Sequence, residues 1–481
     1  MVTALSPLRS GVKLSADPVN FVVAAQNLLE HGAFFVYSNW PSHSLAPEVE
    51  PFTDYPPGYA LYLIPFLALF KEPYLAATVA HALAVSCFFL GLGFLARTLR
   101  WNILLRIALY LAATVFATFQ IIQAAYLTEP LFIACTVSLA ACTLRIVRNG
   151  EARLWWWAAA FAFVASSLKI IGVFNLIWFV VPVMRTSDRR TRNSIVSVVA
   201  CWLPVLLWFA RNQLMYGQIS FSHLLGAVEL KYTLLCPIHF FMDQAARIAE
   251  PWWPSLLVLL IVLLFMAAPL VLAKGSVRQR LSGPQATLCA AFAMHFFGIW
   301  IVSLVAYFSH LDDRLLSPSI MLGMVATLNG INEVSRRVMR SARLPLFLAP
   351  YLFLALAWHT ATPPSPLAHR TFTIPAEAEA FQRIRRSGII DGASHFYSDR
   401  DYRLQLYARI PQRIIWDTAV VATGEGLEQL LRTGTRPYFL MHVDSPEHEA
   451  LQRGIATSGL LLDRTFDQAS GLVLYTSPAT P

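Results

Sequence analysis

The sequence predicts a mainly α, polytopic membrane protein of about ten transmembrane helices with a small C-terminal α/β domain outside the membrane. Three observations predict it. Hydrophobic residues make up 56% of the 481-residue chain and charged residues only 14%, against about 25% charged in an average soluble protein. The apolar residues gather into runs of membrane-spanning length. The charge is divided in two: residues 362–481 hold 12 Arg, no Lys and 13 acidic residues, and the preceding 361 residues hold 25 basic and 15 acidic ones. The net charge of +9 therefore belongs to the greasy part. This balance excludes a disordered chain, a nucleic-acid-binding tail protein and an ordinary soluble enzyme. On a membrane protein such an excess marks cytoplasmic loops rather than a nucleic-acid partner.

A bilayer core about 30 Å thick takes about 20 apolar residues as helix. Runs that fit lie near 74–96, 103–122, 129–147, 154–168, 170–184, 194–210, 254–273, 285–308, 315–332 and 344–361. The fourth and fifth are short and read as a hairpin pair meeting at Lys169. The run 57–70 is shorter still, opens with Pro56-Pro57-Gly58 and reads as an interfacial or re-entrant helix.

Basic residues set the orientation. The clusters Arg97/Arg100/Arg106, Arg145/Arg148/Arg153, Arg185/Arg189/Arg190/Arg192, Lys274/Arg278/Arg280 and Arg336/Arg337/Arg340/Arg343 all fall on one side of these spans. That side is expected to be the cytoplasm. The outer side then receives a first loop (1–73), the turn at 123–128, the Lys169 turn, the loop 211–253, the turn 309–314 and the tail. An outer first loop needs a helix before it, so an eleventh span upstream of Met1 is expected. An in-frame apolar stretch in the upstream gene sequence would show it.

The spans thus belong to a membrane domain, 1–361, and the tail to a soluble domain, 362–481, which opens with Pro363-Pro364-Ser365-Pro366. In the tail, 376–387, 423–433 and 446–458 have helical spacing, His395–Ser398 and Tyr438–Val443 read as strands, and 459–477 reads as a closing hairpin. Five of the six cysteines lie in apolar runs and no pair has metal-ligand spacing, so they read as small core residues.

Ionisable groups at a membrane boundary are costly and are functional candidates. Asp17, before Pro18, reads as a helix N-cap with Gly32 past the helix end. It also reads as a carboxylate held at the mouth of the membrane domain as a general base. Asp54 and Tyr55 open the Pro56-Pro57-Gly58 turn, which either starts a helix or shapes a lipid-facing groove. Glu129, in Thr128-Glu129-Pro130, is a dipole partner at a helix start or a ligand for a cation or sugar hydroxyl. Lys169 either snorkels to the interface or meets a lipid phosphate. Arg211, beside Asn212, and Arg314, beside Asp313, either pair with neighbouring groups or clamp a phosphate.

The order of these features resembles the GT-C superfamily of polytopic glycosyltransferases. More closely it is similar to the bacterial branch related to dolichyl-phosphate-mannose protein mannosyltransferases and the lipid A aminoarabinose transferase. The residues that carry the resemblance are Asp17, Phe21, Ala25 and Gly32, then Tyr55-Pro56-Pro57-Gly58-Tyr59, Thr128-Glu129-Pro130, Lys169, Arg211-Asn212 with Gly217, and Arg314 with Pro318. The chain departs from the pattern where Pro18 follows Asp17 and where Tyr55 precedes the double proline.

The resemblance implies an inverting transfer of sugar from a polyprenyl- or dolichyl-phosphate donor to an acceptor hydroxyl on the outer face. The acceptor is a glycan, a lipid or a protein. It implies a bacterial inner membrane location with the tail outside the cytoplasm. Asp17 takes the role of catalytic base. Asp54, Tyr55, Glu129, Lys169, Arg211 and Arg314 take substrate-binding roles, with Glu129 the position that in some members helps bind a divalent metal. The chemistry requires no cofactor, because a phosphate-linked sugar already carries its leaving group. Two other readings compete: a lipid or glycan transporter or flippase, with ionisable groups deep in the spans, and a non-catalytic relative in envelope assembly. Of the ionisable residues, only His81 and His295 fall deep in the predicted spans.

Overall fold

With no water to bond to, backbone in lipid must close its hydrogen bonds internally, and the apolar runs accordingly form helices. The computed structural model describes residues 16–37, 49–53, 55–115, 119, 122–123, 128–185, 190–217, 253–272, 283–305, 313–338, 395–398, 413–414, 422–423, 437–442, 446–458, 463–467 and 472–476. In chain order the helices are α1 (Ala16–His31), α2 (Gly58–Phe70), α3 (Pro73–Thr98), α4 (Ile103–Val115), α5 (Glu129–Asn149) and α6 (Leu154–Leu168). A 3-10 helix, Ile170–Leu176, follows. Then come α7 (Ile177–Arg185), α8 (Arg190–Tyr216), α9 (Trp253–Leu272), α10 (Pro284–Val305) and α11 (Asp313–Val338). The predicted span 344–361 lies outside the described residues.

Among the described residues, Pro73–Thr98, Glu129–Asn149, Thr191–Tyr216 and Pro284–Val302 are long and apolar enough to cross a membrane. Gly58–Phe70, Ile103–Thr114, Leu154–Leu168, Ile170–Met184 and Leu263–Leu272 are shorter apolar helices. Leu90, Ile103, Trp156 and Trp157 stand exposed, each more than 60% accessible. On a soluble protein such a surface would aggregate; on a membrane protein it faces lipid.

The chain divides into two units. One contains Thr53–Tyr59 and Val79–His369. Within it, α5 is buried along most of its length, through Phe132, Ile133, Val137, Leu139, Ala140 and Ala141. Small residues let helices approach it: a side chain at Gly91 of α3 would strike Val137 and Ser138.

The other unit contains Gly11–Phe52, Ala60–Thr78 and Arg370–Pro481. The first loop is not plain coil there. Strands β1 (Phe35–Tyr37) and β2 (Val49–Pro51) pair antiparallel, and Asn27 Nδ2 of α1 donates to the Phe35 carbonyl at 2.9 Å. Phe52 packs edge-on to Phe21 and stacks on Phe34, with ring centroids 5.8 and 6.1 Å apart. Gly32 ends α1 at φ +69°, and its N–H bonds the Leu28 carbonyl at 3.0 Å. That is the left-handed C-cap glycine favours.

The tail of this unit carries a five-stranded mixed sheet in the order β4-β3-β5-β7-β6, from β3 (His395–Ser398), β4 (Arg413–Ile414), β5 (Pro437–His442), β6 (Asp463–Asp467) and β7 (Leu472–Thr476). β3 runs parallel to β4 and β5; β7 runs antiparallel to β5 and β6. Tyr397 and Phe439 stack at 5.0 Å in its core. Helix α12 (Pro446–Ser458) buries Ala450 and Leu451. The sequence reading had no strand at Arg413–Ile414, since a two-residue edge strand leaves no periodic signal. The predicted helix 376–387 lies outside the described residues, and so does nearly all of 423–433.

Candidate active site

Lys169 has an extended backbone, φ −146° and ψ 139°, between α6 and the 3-10 helix. It closes α6 through its N–H to the Ala165 carbonyl at 3.0 Å, and its own carbonyl receives Gly172 N–H at 2.9 Å. One non-helical residue thus turns the chain and sends its side chain out of the hairpin. The ammonium reaches Glu129 at the start of α5: Nζ lies 2.6 Å from Oε1, with the side chains 15% and 3% exposed.

Glu129 does not close a capping box. Thr128 makes no side-chain cap bond; its hydroxyl instead lies 3.4 Å from Glu129 Oε2. The positive end of the α5 dipole favours this carboxylate, and the carboxylate in turn offsets the charge of the ammonium beside it. Lys169 neither snorkels outward nor stands alone. Of its three N–H donors, one goes to Glu129; among the described residues no other acceptor meets it.

The Pro56-Pro57-Gly58 turn lies against the same hairpin. A Cβ on Gly58 would fall on the Ser167 carbonyl and within 2.7 Å of the Ser167 hydroxyl. Only glycine permits this approach. The segment is tied at its other end by Asn212 of α8, whose Nδ2 donates to the Thr53 carbonyl at 3.2 Å. Next to it, the Arg211 guanidinium lies over the Trp208 and Tyr216 rings, 4.5 and 5.1 Å from their centroids. It donates to Asn212 Oδ1 at 2.8 Å and to the Tyr216 hydroxyl at 3.2 Å. Thr53 therefore lies at the end of α8 that carries Arg211, and Gly58 at the end of α6 next to Lys169.

A buried polar chain lies behind Lys169. In the 3-10 helix, Asn175 Nδ2 donates to Thr136 Oγ1 of α5 at 3.3 Å, and its Oδ1 is 3.2 Å from His295 Nε2 of α10. All three side chains are shut from solvent. Phe132 and Phe174 stand edge-on to the imidazole. Gly298 of α10 leaves the notch that the Phe174 ring fills. The segment after Lys169 is thereby locked to two helices.

No protein-family model and no curated protein matches the sequence. Solved structures do. ArnT from Cupriavidus metallidurans superposes with a TM-score of 0.56 at 13% identity, covering 99% of this chain and 96% of that one. Its undecaprenyl phosphate complex gives 0.57. The archaeal oligosaccharyltransferase AglB from Archaeoglobus fulgidus, in complex with an inhibitory peptide and a dolichol-phosphate, gives 0.53 at 9% identity over 99% and 73%. The mycobacterial arabinofuranosyltransferase AftD gives 0.58 at 16% identity over 100% and 41%.

The chain has the GT-C fold.

In this GT-C fold the structure joins Glu129 and Lys169 directly and brings the Tyr55 turn against the hairpin. Arg211 sits on the neighbouring helix end in its aromatic stack. The sequence suggests Asp17 as the N-cap of α1, but the helix begins one residue earlier, at Ala16, and Asp17 is its second residue; its side chain is outside the description. Arg314 lies in the first turn of α11, and its side chain is likewise outside. Asp54 falls outside the described residues. The sequence reading passed over Thr136 and Asn175 and had His295 only as a deep ionisable group. A polar residue inside the apolar stretch 170–184 was the available signal for Asn175. The other deep histidine, His81, is buried with Nε2 3.0 Å from the Gln123 carbonyl and lies within electrostatic reach of Glu129.

Proposed function

We propose that this membrane protein is a glycosyltransferase that takes a sugar from a polyprenyl-phosphate donor and passes it, with inversion, to an acceptor hydroxyl on the outer face of a bacterial inner membrane. The observation that carries the reading is Lys169: a nearly buried ammonium, anchored by Glu129, whose other two donors meet no acceptor among the described residues. In a site closed to water those donors are worth much more than at a surface. The undecaprenyl phosphate bound by ArnT and the dolichol-phosphate bound by AglB support a lipid phosphate as that anion.

In this reading Asp17 removes the proton of the acceptor hydroxyl. The oxygen bonds to the anomeric carbon, the bond from that carbon to the phosphate oxygen breaks, and its electron pair leaves with the phosphate. Lys169 and Arg211 stabilise the charge that grows there, and Arg314 and the Asp54-Tyr55 turn border the donor. A divalent ion at Glu129 would have to take the carboxylate from Lys169, so the role assigned to Glu129 is to hold the ammonium. In this reading the tail lies outside the cytoplasm.

The test is transfer of label from a polyprenyl-phosphate sugar to an acceptor by the purified full chain. Asp17→Asn should abolish transfer and keep donor binding. Lipid scrambling without transfer would replace the enzyme reading with a flippase. Neither deep histidine favours transport: His81 holds a backbone carbonyl and His295 holds Asn175.

A further inference from the structure

A second charged site lies at the C-terminal end of α3. The helix closes in a Schellman turn: Trp101 N–H bonds the Ala96 carbonyl at 3.1 Å and Arg100 N–H bonds the Arg97 carbonyl at 3.0 Å. The left-handed position, normally glycine, is Arg100, at φ +56°. Three more arginines then converge on carbonyls of this turn. Arg148 of α5 donates to Thr98 O at 3.0 Å, Arg336 of α11 to Arg100 O at 3.1 Å, and Arg106 of α4 to Trp101 O at 3.0 Å.

One helix end thus gathers four guanidinium groups from four elements. Among the described residues, Glu333 is the carboxylate that Arg148 feels, alongside Arg100 and Arg336. The negative end of a helix dipole is worth about half a charge and cannot neutralise the rest. Each of Arg106, Arg148 and Arg336 spends one of its five N–H donors on its carbonyl bond. The position is also set beside lipid: Ile103 and Ile107 of α4, three and seven residues past Arg100, are 66% and 46% exposed.

We infer that Arg100, Arg106, Arg148 and Arg336 form a binding site for the phosphate head of an anionic phospholipid on the basic, cytoplasmic side, with Ile103 and Ile107 against its acyl chain. Arginine forks match phosphate oxygens, and basic pockets between membrane helices suit such head groups. The site is separate from the Lys169 region and does not depend on any transfer activity.

The test is retention of lipid by the purified full chain in native mass spectrometry, with phosphatidylglycerol against zwitterionic phosphatidylethanolamine. Phosphatidylglycerol should be kept in preference. The double variant R148Q/R336Q should weaken that retention by roughly tenfold or more, since each arginine near a membrane surface is worth about 1 kcal/mol of anionic-lipid attraction. R148K/R336K, which keeps the charge, should retain most of it and covers the case where the glutamine variant does not fold. Equal retention of both lipids by the wild type, or unchanged retention in the glutamine variant, would overturn the site. Removal of phosphatidylglycerol by millimolar inorganic phosphate would overturn the lipid assignment and leave a site for a soluble anion.

Discussion

Lys169 Nζ lies 2.6 Å from Glu129 Oε1 across 40 residues of chain, with both side chains largely withdrawn from solvent. Each of these charges makes the other tolerable. Removing one strands its partner, at a cost of about 3–5 kcal/mol. Glu129→Ala and Lys169→Ala should each lower the thermal unfolding temperature in detergent, and the double Glu129→Gln, Lys169→Met variant should recover much of the loss. Additive losses in the double variant would show that the two side chains act separately.

Asn175 should act through Lys169. Asn175→Ala breaks the bonds to Thr136 and His295 and frees the segment that carries the lysine. Transfer rate should fall in the wild-type background and change little in a Lys169→Ala background, because coupled residues are not additive. Labelling of Lys169 by an amine-reactive reagent should rise in Asn175→Ala, a readout that needs no activity.

Gly58→Ala should destabilise the turn. The added carbon meets the Ser167 backbone, which no rotamer change can move. Overpacking of this kind costs about 1–3 kcal/mol. Ser167→Ala should not rescue it in a thermal unfolding series, because the clash with the carbonyl remains.

Arg211→Lys keeps the charge and loses the stack over Trp208 and Tyr216. A cation–π contact with some burial is worth about 1–2 kcal/mol. Donor KM should rise by roughly tenfold, with a smaller change in kcat.

Glu151, in the loop after α5, is held below the usual carboxylate range, first by the Asn149 amide at 2.6 Å and then by the Arg145 guanidinium. A carboxyl with a depressed folded pKa contributes its stability above its unfolded pKa and loses it as pH falls through the lower folded value. The difference in unfolding temperature between wild type and Glu151→Gln should therefore be present at neutral pH and vanish in acid.

The sequence by itself determined many of the described helices and several of the strands. Apolar runs of fixed length have one way to satisfy their backbone in lipid, so 74–96, 129–147, 154–168 and 285–308 could be read without any partner in view. The same holds for Gly32, whose role depends only on its own φ. Glu129 and Lys169 stood out singly because charges are rare at such positions. What they do to each other could not be read, since the pairing depends on the angle at which one extended residue turns the chain. Asn175, Thr136 and His295 lie on three elements, and only packing brings them within bonding distance. The four arginines over the end of α3 looked like a row of anchors along the chain. Tertiary structure made Arg148 and Arg336 partners of a single helix terminus, because hydrogen bonds between side chains and distant carbonyls are set by distance in space and leave no spacing in the sequence.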